Sequence, residues 1–204
     1  MYIPEHDAIV KEVLAAYEFP ATLMGAVRYG NGHINDTFCL VCQPKEGKAI
    51  RFILQGLSKA AFPRQEELME NFIGVTSHLR KKIEAAGGDV MRETLNLVPT
   101  RDGKPYYTDS AGKVWRLTNY VEDTVCLRKA TPELFEASAR AFGRFQWLLA
   151  DYPAETLHES IVNFHNTEDR FAKFEAALAA DKLDRAKDIQ TEIQFVLDRK
   201  ADCS

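Results

Sequence analysis

Between two apolar runs, Leu23 to Val27 and Phe38 to Cys42, the chain reads Tyr29-Gly30-Asn31-Gly32-His33-Ile34-Asn35-Asp36-Thr37. The apolar runs predict two strands, and the polar segment between them predicts a loop. Glycine reaches positive φ and has no Cβ to hold an anion away from backbone amides, so such a loop is able to cover a phosphate. Two glycines in an asparagine-rich segment more often form an ordinary hairpin turn, and this alternative stands beside the anion-binding one.

The composition restricts the class of protein. The chain has 204 residues, which is the size of one large domain or two small ones, and 46% of them are apolar. The net charge of -4 gives no support to a nucleic-acid partner. No apolar run reaches the roughly 20 residues of a membrane span, and the N-terminus lacks the features of a signal peptide. We therefore expect a cytoplasmic protein with no membrane partner.

The four cysteines are interpreted as free thiols. Cys39 and Cys42 fit a C-x-x-C pattern, which occurs in redox and zinc sites. Both fall within a predicted strand, where residues an odd number apart face opposite sides, so the two sulfurs should diverge. Neither Cys126 nor Cys203 belongs to a second pair that would complete a zinc site.

The first part of the chain predicts a helix, a three-stranded meander and a long helix. Apolar spacing indicates the first helix from Glu5 to Tyr17. Strands are predicted at about Leu23–Tyr29, Asn35–Cys42 and Ala49–Gln55. The long helix should run from about Pro63 to Ala86, with acidic residues near its start and Gly87-Gly88 after its end.

The remainder predicts two more strands and then helices. The strands are expected at Leu95–Pro99 and Val114–Val121, and Glu122 marks the change to helical sequence and a predicted domain boundary. The sequence therefore predicts an α+β fold. Its later helices are expected at three places, from about Thr131 to Asp151, from Thr167 to Ala180 and from Asp184 to Lys200.

The order of these parts resembles a protein-kinase-like small lobe that leads into its large lobe. Several segments resemble the aminoglycoside phosphotransferase and choline kinase group, and within it the N-acetylhexosamine 1-kinases, which transfer the ATP γ-phosphate to the anomeric hydroxyl of a sugar. The segments are Gly30 to Thr37, Phe52-Ile53-Leu54-Gln55, Glu67-Leu68-Met69-Glu70-Asn71 and Val75 to Arg80. The resemblance implies a small lobe in residues 1–122, with about five antiparallel strands and one long helix. It implies that residues 123–204 are the helical first part of the large lobe.

The resemblance also implies which residues bind ATP. In the glycine loop they are Gly30, Asn31, Gly32, His33, Ile34 and Asn35, with the amides from 31 to 34 over the β- and γ-phosphates. Asn35 stands at the third glycine position, and His33 is interpreted as either a phosphate contact or a solvent-exposed residue. The position of the kinase lysine on the third strand falls on Gln55, and Glu70 stands where the long helix offers its partner carboxylate. We expect Gln55 and Glu70 to face each other, the alternative for Glu70 being a solvated helix face.

The resemblance places the hinge between the lobes at Asn119, Tyr120, Val121 and Glu122. There the backbone would pair with adenine, and Tyr120 would lie against the ring or, alternatively, in the core. His165 would approach the acceptor sugar, although Asn166 or Thr167 could instead cap the next helix. Three other histidines are interpreted as surface residues without a constellation, namely His6, His78 and His158.

The resemblance is incomplete, because we find no His-x-Asp catalytic loop and no aspartate placed to bind Mg²⁺. We therefore expect an N-terminal fragment or truncated product that is inactive alone, with the Mg²⁺ ligands outside this chain. Three other interpretations remain open: a non-catalytic nucleotide-binding or regulatory protein, an α+β interaction module and, remotely, a mucin-desulfating sulfatase. The sulfatase idea rests on Cys42-Gln43-Pro44-Lys45-Glu46, which has Glu where the C-x-P-x-R motif needs Arg. The apolar stripes of the helical half predict self-association.

Overall fold

A computed structural model describes residues 8–30, 32–125 and 129–203. It divides into two compact units, Met1–Ser160 and Ile161–Ser204. The predicted boundary near Glu122 thus does not coincide with this division. In chain order, the first unit contains α1 (Ala8–Ala15), β1 (Thr22–Arg28), β2 (Asp36–Gln43), β3 (Ile50–Gly56), α2 (Gln65–Ala85), α3 (Val90–Glu93), β4 (Tyr107–Thr108), β5 (Val114–Asn119) and α4 (Pro132–Leu148).

The five strands form one antiparallel sheet in the order β1-β2-β3-β5-β4. The predicted α+β class and the five-stranded antiparallel sheet are confirmed. The meander of β1 to β3 follows from short apolar runs separated by polar turns. Strand β5 then enters beside β3, so the most apolar strands lie in the middle of the sheet.

One face of the sheet packs against α1. Phe38, Leu40 and Cys42 of β2 alternate toward this core, which Val10 and Val13 of α1 complete. Cys39 lies one position out of step with that alternation and therefore faces the other side of the sheet. The predicted divergence of the two sulfurs is confirmed, and both thiols are free. Cys126 lies outside the described residues.

Helix α2 lies on the opposite face of the sheet. Its Met69 is buried with Leu57 and with Val114 of β5, and the ring of Phe72 packs against this cluster. The helix ends at Ala85, shortly before Gly87, whose φ of 71° lies in the left-handed region, and Gly88 N–H donates to the Ile83 carbonyl. The predicted glycine stop is confirmed.

The segment predicted as a strand at Leu95–Pro99 forms only an isolated bridge, between Leu97 and Thr118. Asn96 explains the interruption, because its backbone N–H donates to the Asn119 side chain at 2.9 Å instead of joining a regular ladder. The edge strand is instead β4, which is too short for the sequence pattern to reveal. The sequence also gave no signal for the single turn of α3.

Helix α4 begins as predicted, with the Thr131 side chain accepting from Leu134 N–H and Pro132 in the first turn. Its C-terminal end is anchored on α2, where Leu148 is buried against Leu79 and Ile83. The earlier turns carry an exposed apolar stripe. Its largest members are Phe135 and Phe142, whose exposed fractions are 71% and 67%, and Trp147 in the last turn is 69% exposed on another side of the helix.

The second unit contains α5 (Thr167–Ala180) and α6 (Gln190–Leu197), with 3-10 turns at Ala186–Ile189 and Lys200–Cys203. The bounds of α5 match the prediction. The helix predicted from Asp184 begins later, because the Asp181 carboxylate accepts the N–H groups of Arg185 and Ala186 and holds a turn there. Across the described ranges, no helix is both long enough and apolar enough to cross a membrane.

We predict that the α4 stripe makes the chain self-associate. Replacing Phe142 with Asp should shift sedimentation toward monomer, because a charge replaces a large exposed apolar side chain. Ala137→Asp is the matched control, since it adds the same charge to an exposed position on the other side of the helix. A parent chain that sediments as a monomer at every concentration would contradict the prediction.

Candidate functional site

A cavity of about 370 Å³ opens on the face of the sheet opposite α1. Its volume falls within the range of small-molecule sites, about 300–1,000 Å³. The lining includes Tyr29, Gln55, Arg116, Asn119, Tyr120 and Val121. Four of these residues were assigned to the nucleotide site by resemblance, and the fold brings Gln55 beside the consecutive residues Asn119, Tyr120 and Val121. A larger cavity of about 610 Å³, near Ala16 and the turn at 101–108, contains none of the assigned residues.

The hinge backbone is only partly available to a ligand. Asn119 N–H donates to the Asn96 carbonyl at 3.1 Å, and Tyr120 N–H donates to the Arg51 carbonyl at 3.2 Å. The Asn119 side chain is engaged as well, because its amide donates to the Met91 carbonyl. Within the described ranges, the Tyr120 carbonyl and the Val121 N–H make no hydrogen bond. They are the two ends of one trans peptide and point in opposite directions, so a base could hydrogen-bond one of them.

Tyr120 is fixed from two directions. The Arg51 guanidinium covers one face of its ring at 4.0 Å, and the Tyr29 hydroxyl hydrogen-bonds its hydroxyl at 2.8 Å. Arg51 also donates from Nε to Glu122 at 3.0 Å, and this contact lowers the pKa of the Glu122 carboxyl. Glu122 thus holds Arg51 in place, and the Tyr29 ring packs in a T-shaped arrangement with the Tyr120 ring at 5.7 Å.

The glycine loop closes as a hairpin, with Tyr29 N–H donating to the Thr37 carbonyl at 2.9 Å. Gly30 has a φ of 83°, which explains a glycine there, whereas a Cβ on Gly32 would meet nothing within 4 Å. His33 and Ile34 are exposed, and Asn31 lies outside the described residues. Of the loop positions assigned to phosphate, Gly32, His33 and Ile34 thus lie open to solvent.

Asn35 has a structural partner. Its side-chain oxygen accepts the Ser58 N–H at 2.9 Å, which ties the glycine loop to the segment after β3. Its place at the third glycine position suggested a residue that contacts phosphate. The side chain is instead engaged within the protein, a contact between segments 23 residues apart that the local sequence does not predict.

The predicted pairing of Gln55 with Glu70 is wrong. Gln55 Oε1 accepts from Arg116, and its amide donates to Thr37 at 3.2 Å. Glu70 is 66% exposed and hydrogen-bonds Nε2 of His158 at 2.7 Å. The geometric reason is helical periodicity: Phe72 faces the sheet, and a residue two positions earlier lies about 200° around the helix.

The sequence missed Arg116. It stands directly opposite Gln55 in the β3–β5 register, and its Nη2 donates to Gln55 Oε1 at 2.7 Å. Its guanidinium also lies over the Phe72 ring at 4.1 Å. Burial lowers the pKa of Arg116 to about 10. The sequence pattern that could have identified Arg116 is its even spacing from Tyr120. In the predicted strand Val114–Val121, residues four apart lie on the same face.

Two histidines interpreted as isolated surface residues have carboxylate partners. His158 contacts Glu70, and His78 lies 3.1 Å from Asp151. The Asn71 side chain donates to the His158 carbonyl and accepts the His158 backbone N–H, each at 2.8 Å. His6 lies outside the described residues. His165 belongs to the second unit, where its ring packs on Phe164 at 4.6 Å.

The alternative role for the residue after His165 is confirmed. The Asn166 side chain caps α5 by accepting the Asp169 N–H at 2.8 Å. This contact accounts for the asparagine without a ligand. A role for His165 toward an acceptor sugar stays a prediction.

The described residues contain no cluster of three His, Cys, Asp or Glu side chains that could hold a metal ion. Cys42, on which the sulfatase idea rested, is completely buried in the core beneath α1. A thiol in that position is inaccessible to a modifying enzyme or a substrate in the folded protein.

The base of the glycine loop is held by charge. Asp36 forms ion pairs with Arg28, at 3.0 Å, and with Lys113. The hydrogen bond from Lys113, followed by the contact with Arg28, lowers the pKa of the Asp36 carboxyl. The loop therefore leaves the sheet through an anchored position.

We predict that Asp36→Asn lowers the free energy of unfolding by roughly 1 kcal/mol at neutral pH, a modest value because both ion pairs are partly exposed. Since folding lowers this pKa, the stabilisation is complete above the unfolded value of about 3.9 and is lost as pH falls through the folded pKa. Urea titrations of parent and variant should therefore converge in acid. Asp202→Asn, which removes a carboxylate that forms no ion pair in the described ranges, is the control. A difference that stays constant from pH 7 to pH 2 would contradict the assignment.

Comparison with known families gives this chain no further assignment. A search of the whole sequence against models of known protein families found no match.

Proposed function

We propose that this chain is the nucleotide-binding portion of a small-molecule kinase, with a protein-kinase-like small lobe that binds ATP. The acceptor proposed from the sequence motifs is a sugar hydroxyl, with an N-acetylhexosamine as the substrate. The observation that supports nucleotide binding is the cavity on the face of the sheet opposite α1. It adjoins the unpaired hinge groups of Tyr120 and Val121 at one point and the polar pair of Gln55 and Arg116 at another.

The arrangement suits a ligand that is planar at one end and anionic at the other. The Tyr120 carbonyl and the Val121 N–H belong to one trans peptide and point in opposite directions, so the edge of a purine could hydrogen-bond one of them. Arg116 lies four residues before Tyr120 on the same face of the chain, a separation of roughly 13 Å. The loop from Gly30 to Asn35 follows directly from Tyr29, which lines the same cavity.

The same cavity favours binding over catalysis by this chain. Among the described residues, its lining contains no aspartate or glutamate that could accept a proton from a hydroxyl. Phosphoryl transfer also depends on charge stabilisation by metal ions, for which the described residues hold no ligand cluster. This observation supports the second candidate, a non-catalytic nucleotide-binding or regulatory protein, on equal terms.

We predict that Gly32→Val weakens ATP binding about tenfold, or roughly 1.4 kcal/mol, while the thermal midpoint stays unchanged. A β-branched side chain would hold phosphate away from the loop amides, yet a Cβ here meets no atom of the fold. Calorimetric titration of ATP checks the prediction. Gly143→Val is the control, because that glycine also has open space around it and lies on α4. Equal ATP affinity of the Gly32 variant and the parent would remove the glycine loop from the site.

We predict that the pure chain transfers no phosphate to N-acetylglucosamine or N-acetylgalactosamine. The reason is that no carboxylate from the described part of the chain lines the cavity to accept the proton of the sugar hydroxyl. The measurement is ATP consumption with Mg²⁺, with and without sugar, against a buffer control. ATP turnover that depends on the sugar would contradict the prediction.

A further inference from the structure

A cation without a counter-ion lies in the candidate site. Arg116 is partly buried on the face of β5 opposite α1, between the sheet and the Phe72 ring of α2. No carboxylate in the described ranges forms an ion pair with it, although 15 other ion pairs are formed there. Placing a charge in a desolvated position without a partner is costly. A protein gains from such a placement when an anion completes the site.

The hydrogen bonds of Arg116 leave most of its donors unused. A guanidinium has five N–H groups. Nε and Nη2 both donate to the single oxygen Gln55 Oε1, at 3.2 and 2.7 Å. Three N–H groups therefore make no hydrogen bond within the described ranges. Nη1, which makes no hydrogen bond to a described residue, is not sealed from solvent, because the structure leaves no nitrogen of this guanidinium both fully buried and unpaired.

The neighbours of Arg116 fix its orientation. The Phe72 ring holds the plane of the guanidinium by a cation–π contact at 4.1 Å. Gln55 is itself held by Thr37, at 3.2 Å, so the acceptor is also fixed. A rigid, planar fork with free N–H groups is the geometry that binds phosphate oxygens in pairs.

We infer that Arg116 is the phosphate anchor of this site, and that it supplies from β5 the positive charge that Gln55 lacks on β3. The ligand is the polyphosphate of a nucleotide, and Gln55 positions Arg116 by accepting two of its N–H groups. This inference rests on the proposed nucleotide-binding function, but it concerns one residue and one part of the ligand. It assigns the adenosine end to the hinge and the anionic end to Arg116.

The test compares three ligands of the full chain by calorimetry in buffer containing EDTA: ATP, adenosine and inorganic tripolyphosphate. The variant Arg116→Gln keeps a hydrogen-bond donor and removes the charge. We expect it to lower ATP affinity at least tenfold and to leave adenosine affinity within twofold. Arg140→Gln is the matched control, because it makes the same change in net charge on the exposed face of α4.

A second variant keeps the test informative if Arg116→Gln does not fold. Gln55→Glu preserves the shape of the pair but gives Arg116 an ion-pair partner and brings negative charge to the site. We expect a higher thermal midpoint than that of the parent, with ATP affinity lowered at least tenfold. A residue that is only structural would show the gain in stability without the loss in ATP affinity.

The outcomes separate the two proposals. Parent-like ATP affinity in Arg116→Gln, or an equal loss for ATP and adenosine, overturns the anchor and leaves nucleotide binding standing. Tripolyphosphate binding that depends on Arg116, in a chain that binds neither ATP nor adenosine, supports the anchor and overturns the nucleotide assignment. A parent chain that binds none of the three ligands overturns both.

Discussion

The pairing of β3 with β5 is the contact on which the rest of the first unit depends. It joins the meander of β1 to β3 to the β4–β5 hairpin, and it fixes two cross-strand pairs at once. Leu54 stands opposite Leu117 on the face that packs against α1, and Gln55 stands opposite Arg116 on the other face. A slip of one residue in one strand would exchange its faces, placing a polar side chain in the core and a leucine in the cavity. The register that fills the core therefore also builds the candidate site.

The long helix illustrates how motif residues serve the fold. Glu70 and Asn71 belong to a segment that resembles the phosphotransferases, yet both contact His158, in the segment after α4. Asn71 both donates to and accepts from the His158 backbone, a pairing that closely mimics one between two peptide groups. These contacts hold the returning chain against α2. The helix thus connects the sheet to the segment that follows α4.

The sequence predicted the parts of the fold that depend on local patterning. Alternating apolar residues identified β1 to β3, and the stripe ending at Gly87 identified α2 closely. The segment around Asn96 misled the prediction because its backbone bonds a side chain 23 residues away. The same limit applies to the candidate site. The hinge residues and Gln55 line one cavity, but Gln55 hydrogen-bonds Arg116 and not Glu70. The partner of Glu70 depends on which face of α2 packs against the sheet. The apolar spacing of the helix did not determine on which side of the helix Glu70 lies.

The opposed cysteines of β2 have a consequence for following motion in this protein. Cys39 and Cys42 are three residues apart, yet one faces the α2 side of the sheet and the other lies beneath α1. Burial raises the pKa of both thiols, so alkylating reagents reach them only when the covering layer opens. The two reaction rates would report separately on the exposure of the two faces of β2. Strand β2 therefore carries one thiol probe on each face of the sheet.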